Sequence, residues 1–184
     1  MEERKNGTES KLQLLQRRIR AFPDFPKRGI VFRDICPILK DPNALTAVTD
    51  LFEQHVRTNH WEVDLIVGLD ARGFLFGPLL AQRLGVGFVM VRKKGKLPGA
   101  TVSVAYDLEY GKAEAEIQED AVAPRQKVVL LDDLLATGGT LFAACELMKK
   151  QGAEIQGCMV VIELTELKAI GPVPGPDPAQ WTRL

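Results

Sequence analysis

At 184 residues the chain has the length of one domain with a sizeable core, and its 46% hydrophobic and 26% charged content is that of a soluble globular protein. Lysine plus arginine (24) balance aspartate plus glutamate (24), and zero formal net charge argues against a general nucleic-acid binder or membrane-surface protein while leaving room for a local basic site. No window is apolar enough for a membrane span, and Met1 to Gln16 lacks the apolar stretch of a signal peptide. No membrane or nucleic-acid partner is therefore expected, and a cytoplasmic location is the default.

Residues 1–10 are polar and read as a loose, flexible N-terminus. From Lys11 to Ala21, Leu12, Leu15 and Ile19 fall at helical spacing. Phe22-Pro23-Asp24-Phe25-Pro26 breaks that helix, because two prolines force extended backbone. Ile30 to Asp34 is a short strand or extended segment, followed by a turn at Pro37. Asp41-Pro42 is a helix start, a capping Asp before a first-position proline. This helix is expected to reach about Thr58, with Leu45, Val48, Leu51, Phe52 and His55 near one face. His55 reads as a packed or surface histidine.

Val63 to Leu69 is an apolar strand ending in Gly68-Leu69-Asp70-Ala71-Arg72-Gly73, and Phe74 to Leu84 is a helix stopped by Gly85. Arg72 is either half of a surface ion pair or a planar, bidentate partner for phosphate oxygens. Val86 to Val91 is the next strand and runs into Arg92-Lys93-Lys94-Gly95-Lys96. Such a run is commonly a solvated turn. At the end of a parallel strand it lies on the ligand side of the sheet and offers a pyrophosphate site. Thr101 to Tyr106 and Ala113 to Ile117 alternate at period two and read as antiparallel strands projecting from the domain, a candidate lid.

Val128 to Leu131 reads as a buried strand, with Asp132 and Asp133 where it would end. Ala136-Thr137-Gly138-Gly139-Thr140 then opens an apolar-periodic helix, Leu141 to Lys150. A glycine-rich loop feeding a helix N-terminus can hold a phosphate, because its N–H groups are unpaired and the helix dipole favours an anion. Two carboxylates would repel that phosphate and suit sugar hydroxyls or a divalent metal instead. Together they describe a ribose-phosphate site. After Gly152, Ile155 to Leu164 is the last apolar strand. Residues 169–184 form a Pro/Gly-rich tail, expected to be extended or disordered, in which Trp181 is weak evidence for docking. Cys36, Cys145 and Cys158 sit among apolar neighbours and read as buried thiols.

Val128 to Thr140 matches the phosphoribosyl diphosphate (PRPP) motif of the type I phosphoribosyltransferases. With Phe22 to Pro26, Gly29 to Ile35, Gly68 to Phe74, Arg92 to Gly99, Leu108 to Lys112 and Val161 to Leu164, the chain resembles the adenine branch of that family over roughly Leu12 to Lys168. The resemblance implies an α/β fold: a central parallel five-stranded sheet flanked by helices, a small hood and a two-stranded flap at about residues 95–120. Residues 11–168 would form a single phosphoribosyltransferase domain. It implies a purine salvage glycosyltransferase that moves 5-phosphoribose from PRPP to N9 of adenine, giving AMP and pyrophosphate. The cofactor would be Mg²⁺ carried by PRPP, with no metal held by the protein alone, and the assembly a homodimer.

Residue roles follow from the same resemblance. Asp132 and Asp133 would face the ribose hydroxyls, and Ala136, Thr137, Gly138, Gly139 and Thr140 would bind the 5-phosphate. Asp70, Ala71 and Arg72 would form the pyrophosphate loop, where the family often has a non-proline cis peptide, assisted by Lys93 and Lys96. Arg92 would reach the partner subunit's site. Val31 and Leu164 would sandwich adenine, and the Val31 and Arg33 backbone would read its edge. Glu109 and Tyr110 lie on the flap; Glu109, Arg72, Asp132 and Asp133 form the catalytic set. The Pro/Gly tail departs from the apolar, aromatic segment usual there. Two other readings are a PRPP-binding regulator, which should show a basic surface or an extra domain, and a phosphoribosyltransferase for another base. A 6-oxopurine enzyme would place a lysine or similar donor near the base, where Val31 to Arg33 offers backbone.

Overall fold

The continuous apolar runs become parallel strands of one sheet, buried because helices lie on both faces. The computed structural model describes residues 2–108, 111–164 and 181–183. These fall into two units, Met1–Gln54 and His55–Arg183. The sheet belongs to the second. In chain order this unit holds β3 (Leu65–Leu69), α4 (Gly73–Leu84), β4 (Gly87–Lys93), β5 (Thr101–Leu108), β6 (Gly111–Gln118), β7 (Lys127–Leu135), α5 (Gly139–Lys150), β8 (Glu154–Glu163) and β9 (Trp181–Arg183). The strand order is β5-β6-β4-β3-β7-β8-β9. From β4 to β9 every pairing is parallel.

This gives the five-stranded parallel core expected, with an unexpected fifth member. Trp181, Thr182 and Arg183 pair with Cys158, Met159 and Val160 of β8. Three residues at the end of a Pro/Gly-rich stretch carry no strand periodicity. Backbone pairing to a waiting sheet edge forms this strand, an extended segment docked where Trp181 gave weak evidence of docking. Residues 165–180, including the tail up to Gln180, lie outside the described residues.

Alternation along the strands separates the two faces. Val67, Leu69, Val128, Leu130, Cys158 and Val160 are buried in the cluster that includes Leu141, Ala144, Cys145 and Met148 of α5. On the other face, α4 approaches closely: a Cβ on Gly77 would meet the Phe88 ring at 2.3 Å. Gly85 stops α4 in the left-handed region at φ 71°, as expected. The β5–β6 ladder runs from Thr101↔Gln118 to Leu108↔Gly111, longer at its tip than the alternation suggested. Among the described residues, its ladder pairs with the core sheet are Arg92↔Glu116 and Lys93↔Ala115. His55 packs edge-on against Trp61 at 4.9 Å, and burial lowers its pKa, as a packed histidine should behave.

The first unit holds α1 (Glu2–Arg18), β1 (Arg20–Pro23), β2 (Val31–Asp34), α2 (Cys36–Lys40) and α3, which runs Pro42–Thr58 with its last turn in the second unit. Asp41 caps α3 as expected, its carboxylate accepting the Asn43 N–H at 2.9 Å. Four expectations change. Residues 2–10, read as loose, are helical: the Thr8 and Gln54 side chains hydrogen-bond and Lys11 pairs with Asp50 at 2.8 Å, polar contacts that apolar spacing cannot reveal. The helix also stops at Arg18, because Arg20 pairs across an antiparallel ribbon with Asp34. The expected turn at Pro37 is α2, where proline sits in the first turn and only Ile38 is buried. Cys36 is therefore exposed rather than buried, whereas Cys145 and Cys158 are buried with sulfurs 3.9 Å apart.

Candidate functional site

Strand β7 brings the two acids into the site, but not from beyond its end. Pairing with β8 continues through Asp132↔Val160 to Leu135↔Glu163, so Asp132 and Asp133 lie inside the strand. Leu134 and Leu135, which the residue pattern left between acids and loop, extend it and line the same cleft. Both acids are buried, at 8% and 4% exposure. Burial, and then the charge of Asp133, pushes Asp132 up to about 8 from an ordinary 3.8. Burial also raises Asp133, opposed by Arg72, whose Nε lies 2.8 Å from the Asp133 carboxylate. Asp132 accepts the Asp133 N–H at 2.8 Å.

The anion end follows directly. Gly138 adopts φ 86°, a conformation that suits glycine, and α5 begins at the next residue. No side chain caps this helix and its first turn has no acid, so its N–H groups face the loop uncompensated. Asp70, Ala71, Arg72, Asp132, Asp133 and residues 134–141 together enclose a cleft of about 220 Å³. The bond between Asp70 and Ala71 is a non-proline cis peptide. One close approach sets the spacing of the two loops: a Cβ on Gly73 would lie 2.4 Å from the Leu131 carbonyl oxygen.

The basic run resolves into distinct roles. Arg92 donates to Asp70 at 3.1 Å and stands over the Phe74 ring at 5.9 Å. Lys94, just past β4, pairs with Glu114 of β6. Lys93 and Lys96 are exposed. Val31 and Arg33 lie on β2 in the first unit; Leu164 follows β8 in the second, its N–H donating to the Leu135 carbonyl at 2.9 Å. Glu109 and Tyr110 lie outside the described residues. Among the described residues, no three of His, Cys, Asp and Glu are grouped as a metal site. No described helix is long and apolar enough to cross a membrane.

The phosphoribosyl transferase domain family matches residues 37–170. The adenine phosphoribosyltransferase of Rattus norvegicus is 60% identical over 171 residues, 91% of this chain and 95% of the rat protein. The chain belongs to the adenine phosphoribosyltransferase family. Solved structures of that family share its fold at a consistent level. The Saccharomyces cerevisiae enzyme, complexed with adenine and an imino-altritol 1,6-bisphosphate, aligns with a TM-score of 0.85 at 42% identity, covering 88% of this chain and 93% of that one. The Giardia lamblia enzyme complexed with 9-deazaadenine gives a TM-score of 0.85 at 38% identity, covering 94% and 95%.

Proposed function

We propose that the chain transfers 5-phosphoribose from PRPP to N9 of adenine, releasing AMP and pyrophosphate in purine salvage, as one catalytic domain spanning residues 11–168. The observation that carries this reading is the juxtaposition in one cleft of a buried acid pair on β7, the uncapped N-terminus of α5 and the Arg72 loop. Residues 136–140 hold the 5-phosphate, a part of the substrate that does not react, and its binding energy fixes C1′ in line for attack. Asp132 and Asp133 accept the ribose hydroxyls. Cleavage at C1′ builds positive charge on the ribose and negative charge on the leaving diphosphate. Asp70, Ala71, Arg72, Lys93 and Lys96 surround that diphosphate, where cationic groups stabilise the growing charge.

The donor set suits a Mg²⁺ that arrives with PRPP: two oxygen acids stand beside the proposed ribose site, one already paired with Arg72. When bound, the ion neutralises diphosphate oxygens. Val31, Arg33 and Leu164 are assigned to adenine by the family resemblance, the backbone of the first two reading its amino and ring-nitrogen edge. Incubation with PRPP, Mg²⁺ and single bases is expected to give AMP from adenine, with little nucleotide from hypoxanthine, xanthine, guanine or orotate. Failure to form AMP would refute the reading, and an unreactive protein that still binds PRPP would favour a regulator.

A cytoplasmic homodimer completes the proposal. Leu75 of α4 and Met90, which β4 directs to the α4 side, remain 42% and 40% exposed, an apolar surface of the kind an interface covers. Arg92 lies two residues beyond Met90 and would exchange Asp70 for the partner's site. Light scattering should give twice the chain mass, and Met90→Lys should shift it toward monomer. A monomeric parent protein would remove this part of the proposal.

A further inference from the structure

Strand β6 alternates so that Ala115 and Ile117 enter the core, at 3% and 0% exposure, and Glu114 and Glu116 point to the opposite face. That face should be wet, yet Glu116 is only 3% exposed. The turn after β4 folds over it. One carboxylate oxygen accepts the backbone N–H groups of Lys96 at 2.8 Å and Leu97 at 2.9 Å; the other accepts the Thr101 hydroxyl at 3.3 Å. The Lys96 carbonyl is held from the other side, accepting from Arg92 at 3.4 Å. Arg92 and Glu116 are also directly opposite in the short ladder that joins the hairpin to the sheet. Burial alone would raise this carboxyl, but the N–H groups of Leu97, Gly95 and Lys96 outweigh it and keep the group ionised. A buried carboxylate collecting consecutive backbone N–H groups fixes the shape of the turn that supplies them.

We propose that Glu116 is a positioning residue for the diphosphate: it fixes the turn at Lys96 and ties that turn to the β5–β6 hairpin. The proposal rests on reading Lys96 as a pyrophosphate contact. It touches no substrate itself and acts through the backbone that aims Lys96.

The test measures the reverse reaction, AMP plus pyrophosphate, for Glu116→Gln, Lys96→Ala and the double variant in the full chain. Glu116→Gln keeps the side chain's shape and one carbonyl oxygen but loses the charge, so it guards against the misfolding that Glu116→Ala could cause. It should raise the pyrophosphate KM roughly tenfold with the AMP KM little changed, and add little in the Lys96→Ala background. An unchanged pyrophosphate KM, while Lys96→Ala raises it, would overturn the role of Glu116 and leave the pyrophosphate site standing. Equal rises in both KM values would also overturn it, by showing general damage. If Lys96→Ala itself left the pyrophosphate KM unchanged, the reading of the turn would fail and the proposal with it.

Discussion

Replacing Asp132 and Asp133 together with Asn is expected to lower turnover by about 10³ or more while leaving a folded protein. The loss follows from the proposed role of these acids as the acceptors for the ribose. The stability effect has the opposite sign. Asp132 titrates near 8 in the folded chain against an ordinary 3.8. A raised acid means that, between those two pH values, the folded state keeps a proton the unfolded state has released. The contribution of this group therefore falls as pH rises from about 4 to about 8, and the full penalty remains above it. A carboxamide does not titrate, so Asp132→Asn alone should raise Tm, and by more at pH 8 than at pH 5. The buried carboxamide keeps a desolvation cost of its own, leaving a net gain on the order of 2 kcal/mol, or roughly 4–8 °C at this chain length. Asp133→Asn should gain less, since it gives up the 2.8 Å pair with Arg72. Thermal melts at both pH values and steady-state assays test this. Near-normal turnover in the double variant would show that the ribose binds elsewhere, and an equal Tm difference at both pH values would refute the buried, proton-retaining Asp132.

Gly73→Ala is expected to damage stability and activity together. The added Cβ would sit 2.4 Å from the Leu131 carbonyl oxygen and 3.4 Å from the Asp132 Cα, both backbone. Neither can rotate away, so either the start of α4, with Arg72, or β7, with Asp132, must shift. The expected cost is about 2–4 kcal/mol, and a displacement near 1 Å in the acid–arginine geometry should lower kcat by roughly 10². Gly87→Ala is the control, because its Cβ would meet only a Leu65 methyl at 2.9 Å, the end of a flexible side chain. Equal effects from the two substitutions would show that the Gly73 contact is not special.

Local chemistry made much of this structure legible. Asp41-Pro42 starts α3 and Gly85 stops α4, because a cap and a left-handed residue are decided within a few residues of chain. The apolar runs at β3, β7 and β8 identify buried parallel strands, since only such strands are apolar on both faces. The acid pair and the Ala136-to-Thr140 loop were legible as parts of one candidate site from residue type and order, and they line one cleft. Elsewhere periodicity pointed the wrong way. It could not find β9, which depends on an edge supplied by β8, nor the helical residues 2–10, which are tied down by polar contacts with α3.

The sequence by itself therefore determined which residues carry the chemistry proposed for phosphate, ribose and diphosphate, because that capacity resides in side-chain chemistry and local backbone conformation. Only the tertiary structure decided how those groups are charged and held. Burial inside β7 raises Asp132, Arg72 reaches Asp133, and Asp70 engages Arg92. Glu116 shows the difference most directly. Strand alternation turns it toward solvent, and a turn some twenty residues earlier folds over it and makes it a buried anchor. Such contacts depend on loops meeting in space, which no single segment encodes.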